Sequence, residues 1–467
     1  MIALNEPVPQ SRGFKRVLNQ LDMTLFTVCA ILVIDTLAAS AKVGVSSLAW
    51  WIITFVFFFV PYGLIVAELG AAYPGEGGIQ QWIRRAYGDK WAGRTVWYYW
   101  VNVALWMPSV YILFAGMFAQ LFAPEMSLWV KIALGVFMTW ITVGVGIASL
   151  ANSKWVPNIG AVVKAAIMLI MGVAGIWIAS TRGFANEMTL STLTPGWDVG
   201  LAFLPVVVYN FLGFELMSGA GEEMENPARD VPIAIVVAGL AIVGFYLLAT
   251  FGILVALPVN EIGLISGVID TVARLLGESQ LAKTATVLIG IGALYTFFAN
   301  MVTWTLGANR TAQAAAADGE LPAVFASLHP TYQTPVGAFL WTGIVSTVVI
   351  VLYGFMAANA EDLFWSLFAF SSIVFLLPYL LVFPAFLRLR RIDAGTSRPY
   401  RVPGGMGALT LIATICVLFI LQAILFFVWV PGEPVDWSTA GPILGGVVLT
   451  VLVGEVILAL QTRRKGA

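Results

Sequence analysis

Twelve times along this chain a run of about twenty mostly apolar residues recurs, and that repetition constrains the fold more than any other feature. The runs lie near 24–42, 46–69, 95–122, 128–149, 156–179, 199–221, 232–258, 284–309, 335–356, 361–387, 407–430 and 441–461. Each is long enough to cross a hydrocarbon layer of roughly 30 Å as a helix. Lipid offers no partners for exposed backbone N–H and C=O groups, so such segments must satisfy themselves internally. The expectation is an all-α integral membrane protein with twelve transmembrane helices. The chain is 60% hydrophobic and 10% charged, with a mean hydropathy of +0.91. An average soluble domain carries about 25% charge.

Several function classes drop out. A formal net charge of −1 argues against a nucleic-acid partner. Cys29 and Cys416 both sit inside apolar runs, so neither a disulfide framework nor a metal site is implied. The sole histidine, His329, falls in a loop. Without a nucleophile–base pair, a metal cluster or a cofactor motif, an enzyme is not expected, and neither is a cofactor. The first 20 residues are polar and basic with no apolar stretch beside them, unlike a cleavable signal. The longer polar connections, 70–94, 310–334 and 388–406, leave no room for a soluble domain, so residues 1–467 read as one transmembrane unit.

Lysine and arginine placement sets the expected orientation. With the N-terminus inside, the cytoplasmic segments hold eighteen basic residues and the outer segments five, with Lys164 left inside a span. Both termini are therefore expected in the cytoplasm, in a multi-pass protein of the inner (plasma) membrane.

Many carriers are built from two inverted repeats with a discontinuous helix in the matching place of each. Five spans per repeat give 22–180 and 198–388, and make spans 1 and 6 the matching pair. Span 6 is visibly interrupted at "GFELMSGAG", and span 1, "LFTVCAILVIDTLAASAKVG", by Asp35 and a run of small residues.

A charge at bilayer depth costs at least about 2.5–3.5 kcal/mol on insertion scales, so it faces protein or a water-filled cavity. Four groups stand there: Asp35, Lys164, Glu215 and Glu455, with Glu68 at the end of span 2. Glu215 lies in the glycine-rich break, where freed backbone could hold a ligand and a carboxylate could bind an amine or carry a proton. It could equally be a structural acceptor for unwound backbone. Asp35 could pair with a substrate ammonium or with Lys164, or cap a half-helix. Lys164 could supply a fixed or titratable charge, or snorkel. Glu455, on a terminal helix, reads as structural. Glu222, Glu223 and Glu225 read as a solvated helix end. Trp50, Trp51, Trp129 and Trp429 sit at span ends and are expected in an interfacial belt. Trp304, mid-span among small and polar neighbours, and Tyr209, just before the span 6 break, could close over a substrate.

These motifs resemble the amino acid–polyamine–organocation superfamily, and most of all its glutamate/GABA antiporter branch. The resemblance covers nearly the whole chain and rests on "FFFVPYGLIVAELGAAYPGEGGIQQWIRRAYG" (58–88), "FLGFELMSGAGEEMENPARDVPIAI" (211–235), "ANRTAQAAAADGELPAVFASLHPTYQTP" (308–335) and "SRPYRVPGG" (397–405). It implies a LeuT-type five-plus-five inverted repeat with spans 1 and 6 discontinuous, followed by two peripheral helices over 406–462. It implies that Glu215 couples transport to a proton and that Lys164 stands where other carriers hold sodium. Tyr209 would gate the site and Trp304 would pack on the substrate chain. The backbone of Leu212, beside Gly213, would hold the substrate amine. Asn102, Met107 and Ser371 would line the pocket. The span 1 stretch "CAILVI", with Leu32 and Val33, lacks the Gly-Ser-Gly segment with which many members hold an α-carboxylate. It is followed by Asp35, which would favour a cationic amine instead. The short tail "QTRRKGA" leaves no room for the C-terminal plug common in that branch.

The sequence thus points to a secondary transporter of amino acids or related amines, working by alternating access as a proton-coupled carrier or an exchanger. Its partners are a small-molecule substrate, H+ and the lipid bilayer. A polyamine or monoamine carrier using Asp35 is the alternative within the class. A transport-deficient amino-acid sensor is the alternative outside it, disfavoured by termini of about 22 and 6 residues.

Overall fold

The computed structural model describes residues 20–74, 78–148, 155–196, 199–216, 227–430 and 432–465. Among them there is no strand, and ten helices are long and apolar enough to cross a membrane. Two shorter apolar helical stretches, Leu21–Ile31 and Gly200–Leu216, accompany them. The chain is a multi-pass membrane protein, all-helical among the described residues.

In order, the helices are α1 (Gln20–Ile31), α2 (Leu37–Ala41), α3 (Ser47–Ala72), α4 (Ile79–Tyr87), α5 (Asp89–Phe122), α6 (Leu128–Ile147) and α7 (Trp155–Arg182). There follow the single turn α8 (Leu190–Leu193), α9 (Leu204–Tyr209), α10 (Pro227–Ala256), α11 (Gly267–Leu276) and α12 (Gln280–Ala317). The chain ends with α13 (Val336–Gly354), α14 (Ala360–Leu376), α15 (Tyr379–Ile392), α16 (Met406–Phe426) and α17 (Trp437–Lys465).

Helix α5 is the axis of the bundle: 94% of its apolar stretch is buried, against 33% for α16 and 17% for α17 at the periphery. It packs most extensively against α14 and α12. Pro108 lies inside α5 and cannot donate to the carbonyl of Ala104. Ser346 Oγ of α13 fills that vacancy, donating to Ala104 C=O at 2.7 Å. In α3 a π-helical turn, Phe55–Phe59, lies just before Pro61, which has no N–H to donate. Helices α7 and α10 approach through small residues: a Cβ on Gly175 would sit 2.8 Å from Gly252 Cα. Between membrane helices such backbone contact replaces the hydrophobic drive that lipid removes.

Ion pairs, the innermost of them buried, tie one end of the bundle together. Glu68, at the end of α3, accepts from Arg390 Nε and Nη2 of α15 and from the Val402 N–H, with Arg398 Nε at 3.2 Å. Arg84 of α4 pairs with Glu320 and Asp318 beyond α12, and Gln80 adds a bond to Glu320. Burial pushes the Glu320 carboxyl above its ordinary value, against the pull of Arg84 and Gln80. Glu455 of α17 grips Arg94 through both carboxylate oxygens, at 2.6 and 2.7 Å.

The tryptophans at the span ends divide. Trp129 is exposed, as a belt residue would be, whereas Trp51 is fully buried. Its indole stacks on Tyr246 at 4.3 Å and donates to Thr250 Oγ1, so it is a packing residue rather than a belt residue.

Candidate functional site

Two helical breaks face each other inside the bundle. Helix α1 stops at Ile31, residues 32–36 are unwound, and α2 resumes at Leu37. A break of this kind strands backbone groups that lipid cannot satisfy. Tyr246 of α10 bridges it, accepting from Val33 N–H at 2.9 Å and donating to Ile31 C=O at 2.7 Å. The second break begins at Asn210, where α9 ends. It starts ahead of the glycines that mark it in sequence, and residues 217–221 of that stretch, like Glu222, Glu223 and Glu225, lie outside the described residues. Asn210 joins the two breaks: its Oδ1 accepts from Thr36 Oγ1 at 2.7 Å and its Nδ2 donates to Ser40 Oγ at 3.2 Å.

Gly213 holds φ +115°, a conformation costly to any residue with a Cβ. A Cβ there would also come within 2.8 Å of the Trp304 indole. This glycine is required by both shape and space.

Glu215 is buried in a cage of tyrosines. Tyr99 of α5 and Tyr379 of α15 donate to Oε1 at 3.0 and 2.7 Å, and Tyr62 of α3 donates to Oε2. The Tyr62 hydroxyl also accepts the N–H groups of Gly213 and Phe214, at 3.2 and 3.1 Å. Side chains of three helices therefore converge on one carboxyl.

Lys164 of α7 is fully buried and does not snorkel. Its Nζ donates to Cys29 C=O of α1 at 2.6 Å and to Asn300 Oδ1 of α12 at 3.0 Å. The ammonium thus ties three helices beside the first break.

A tight cavity, about the size of one water, lies between the breaks, lined by Ala30, Ile31, Val33, Trp106, Tyr209, Asn210, Leu212, Trp304 and Phe375. Its wall is largely aromatic. Trp304 meets Trp106 and Phe375 edge-on at 5.7 and 5.4 Å, and Tyr209 meets Phe368 and Phe375 at 5.1 and 5.5 Å. The Trp304 indole donates to Ala30 C=O at 2.9 Å, pinning the ring to the end of α1.

Of the residues singled out in sequence, Val33, Tyr209, Leu212 and Trp304 line this cavity. Leu32, Asp35 and Gly213 stand in the breaks beside it. Asp35 is buried, and its Oδ2 has no hydrogen-bond partner. Asn102 and Met107 are buried on α5 outside the lining, and both polar atoms of Asn102 lack partners. Ser371 is turned to its own helix, donating to Phe368 C=O at 3.0 Å, while the Oγ of neighbouring Ser372 is unpartnered. Trp106, Phe375 and Asn210 of the lining, and the tyrosines around Glu215, carried no sequence signal that sets them apart from other residues of apolar spans. Tyr99, Asn102 and Trp106 do recur at helical spacing, which puts them on one stripe of α5.

A model of the amino acid permease family matches residues 18–453. The chain is 34% identical over 440 residues to the probable agmatine/putrescine antiporter of Lactococcus lactis subsp. lactis (strain IL1403), covering 93% of each chain. It is 28% identical over 419 residues to an uncharacterized transporter of Legionella pneumophila, covering 88% of this chain and 89% of that one. It is 22% identical over 365 residues to an uncharacterized amino acid permease of Bacillus subtilis (strain 168), covering 77% and 81%.

Proposed function

This chain belongs to the amino acid permease family, and we propose that it is a secondary transporter of small organic cations, a diamine or guanidino-amine, working by exchange. The observation that carries this reading is Asp35: a buried carboxylate in the α1 break with one oxygen left without a partner. A buried carboxylate oxygen without a hydrogen-bond partner is unfavourable, and the N–H groups of a cationic ligand would complete it. One amide of the break, the Val33 N–H, is already taken by Tyr246 and is not open to the carboxylate of a zwitterionic amino acid.

The aromatic wall supports the same reading. Ammonium and guanidinium groups are attracted to the faces of Trp, Tyr and Phe, and Trp106, Tyr209, Trp304 and Phe375 supply four such rings. The relative from Lactococcus is named for agmatine and putrescine, both cations of this class.

In this account the ten-span body follows a LeuT-type inverted repeat, both termini face the cytoplasm, and the two breaks alternate between sides of the plasma membrane. Glu215 carries a coupling proton and Lys164 replaces a cation at the first break. The test is a thermal-shift screen of the purified chain against amino acids, GABA, putrescine, cadaverine, agmatine and spermidine, since a bound ligand stabilises the folded state by mass action. Upward shifts are expected from the dicationic amines alone and are expected to vanish in Asp35→Asn. Shifts from zwitterionic amino acids that survive Asp35→Asn would refute the reading.

A further inference from the structure

We propose that the Tyr62 hydroxyl is the positioning group that turns a change of protonation at Glu215 into a change of backbone conformation at the second break. The inference rests on the coupling role proposed above for Glu215 and adds the mechanical link that role lacks.

A tyrosine hydroxyl has one proton to give and two lone pairs to receive with. Tyr62 uses all three: it donates to Glu215 Oε2 and accepts from Gly213 N–H and Phe214 N–H. The carboxyl it touches is carried by the residue immediately after those two amides. Its ring is held in place, fully buried and packed between Phe58, Phe214, Tyr379 and Phe383 at centroid distances of 5.8 to 6.3 Å.

The groups facing Glu215 come from three helices: Tyr62 of α3, Tyr99 of α5 and Tyr379 of α15. Oε1 already receives two donors, whereas Oε2 receives one. A proton arriving at Oε2 makes that oxygen a donor, and the acceptor beside it is the Tyr62 oxygen. That oxygen can accept only by releasing Gly213 N–H or Phe214 N–H and turning its own O–H away. One proton is gained, and one backbone hydrogen bond of the break is given up.

The released segment is not idle backbone. Gly213 packs directly beneath the Trp304 indole, and Trp304 is bonded to Ala30 at the end of α1. Loosening Gly213 therefore loosens the support of the ring that walls the cavity. Tyr62 itself touches none of the lining residues through a hydrogen bond, so it acts through Glu215 and the break.

The test is hydrogen–deuterium exchange at single-amide resolution on the purified full chain. It is run across pH and expressed as protection factors, which removes the intrinsic pH dependence of exchange. In the wild type, protection of Gly213 and Phe214 is expected to fall about tenfold as Glu215 takes up its proton, the size of one lost hydrogen bond. In Tyr62→Phe both amides should exchange fast at every pH, while α10 keeps its protection. Glu215→Gln, which leaves Tyr62 in place, should hold both amides at the acid-side value. In parallel, the pH profile of putrescine uptake should flatten in Tyr62→Phe. Wild-type protection at these amides that ignores pH, or a pH response that persists in Tyr62→Phe, would overturn the proposal. Should Glu215→Gln leave the uptake profile intact while the exchange results hold, the coupling reading alone would fail.

Discussion

Tyr246 and Val33 are joined by a hydrogen bond of 2.9 Å, and through it a side chain of α10 takes the place of a missing helical turn. The same hydroxyl returns its proton to Ile31 C=O at 2.7 Å, so the last carbonyl of α1 and an amide of the unwound stretch share one partner. The first break is thereby a built conformation, with two of its backbone groups held by one side chain.

Removing that hydroxyl should be felt directly. Tyr246→Phe keeps the ring stacked on Trp51 but leaves a buried carbonyl and a buried amide unpaired. Each unsatisfied group costs about 1–3 kcal/mol. The expected outcome is a clear fall in melting temperature, read by thermal unfolding in detergent, with the Val33 amide losing its exchange protection.

Gly213 gives a second prediction. Alanine there meets both a positive φ and a Cβ only 2.8 Å from Trp304. The left-handed conformation alone costs roughly 1–2 kcal/mol, and the indole must shift as well. Gly213→Ala is expected to insert and fold but to lose most uptake, measured in proteoliposomes. Trp304→Phe in the same background should restore part of it by opening space.

Glu320, the buried partner of Arg84 at the bundle end, gives a third prediction. Burial raises the Glu320 carboxyl above its ordinary value of 4.5, outweighing Arg84 and Gln80. An acid whose folded value is raised favours the protonated folded state. Its stabilising contribution is complete below the ordinary value and is lost as pH rises through the raised one. The melting temperature of wild type relative to Glu320→Gln should therefore decline as pH increases from 4.5 upward, followed by thermal unfolding at a series of pH values.

What could be read from sequence alone depended on how conspicuous each residue was. Asp35, Lys164 and Glu215 stand out because a charge inside an apolar run is costly, and the structure places all three beside the breaks. Glu455 could be assigned a structural place by its terminal helix, and it grips Arg94. Aromatics were the opposite case. They abound in every span, and whether one faces the cavity depends on how its helix is rotated in the bundle. Trp106 and Phe375 therefore gave no warning, and Trp51, at a span end, passed for a belt residue although Thr250 and Tyr246 hold it inside. The tyrosine cage escaped for a further reason: Tyr62, Tyr99 and Tyr379 converge on Glu215 across separations of 116 to 164 residues. Asn210 is polar but unremarkable until its bonds to Thr36 and Ser40 show that it ties the two breaks.

The central claim is that Asp35 completes its hydrogen bonding with a cationic substrate that is exchanged across the membrane. The most direct measurement is uptake of radiolabelled putrescine into proteoliposomes, either empty or preloaded with agmatine, for the wild type and Asp35→Asn. Uptake should be fast only into preloaded vesicles, be blocked by outside agmatine but not by arginine or GABA, and fall at least about tenfold in Asp35→Asn, as expected for loss of a buried charge pair. Preloading that makes no difference, or exchange that Asp35→Asn carries at the wild-type rate, would contradict it.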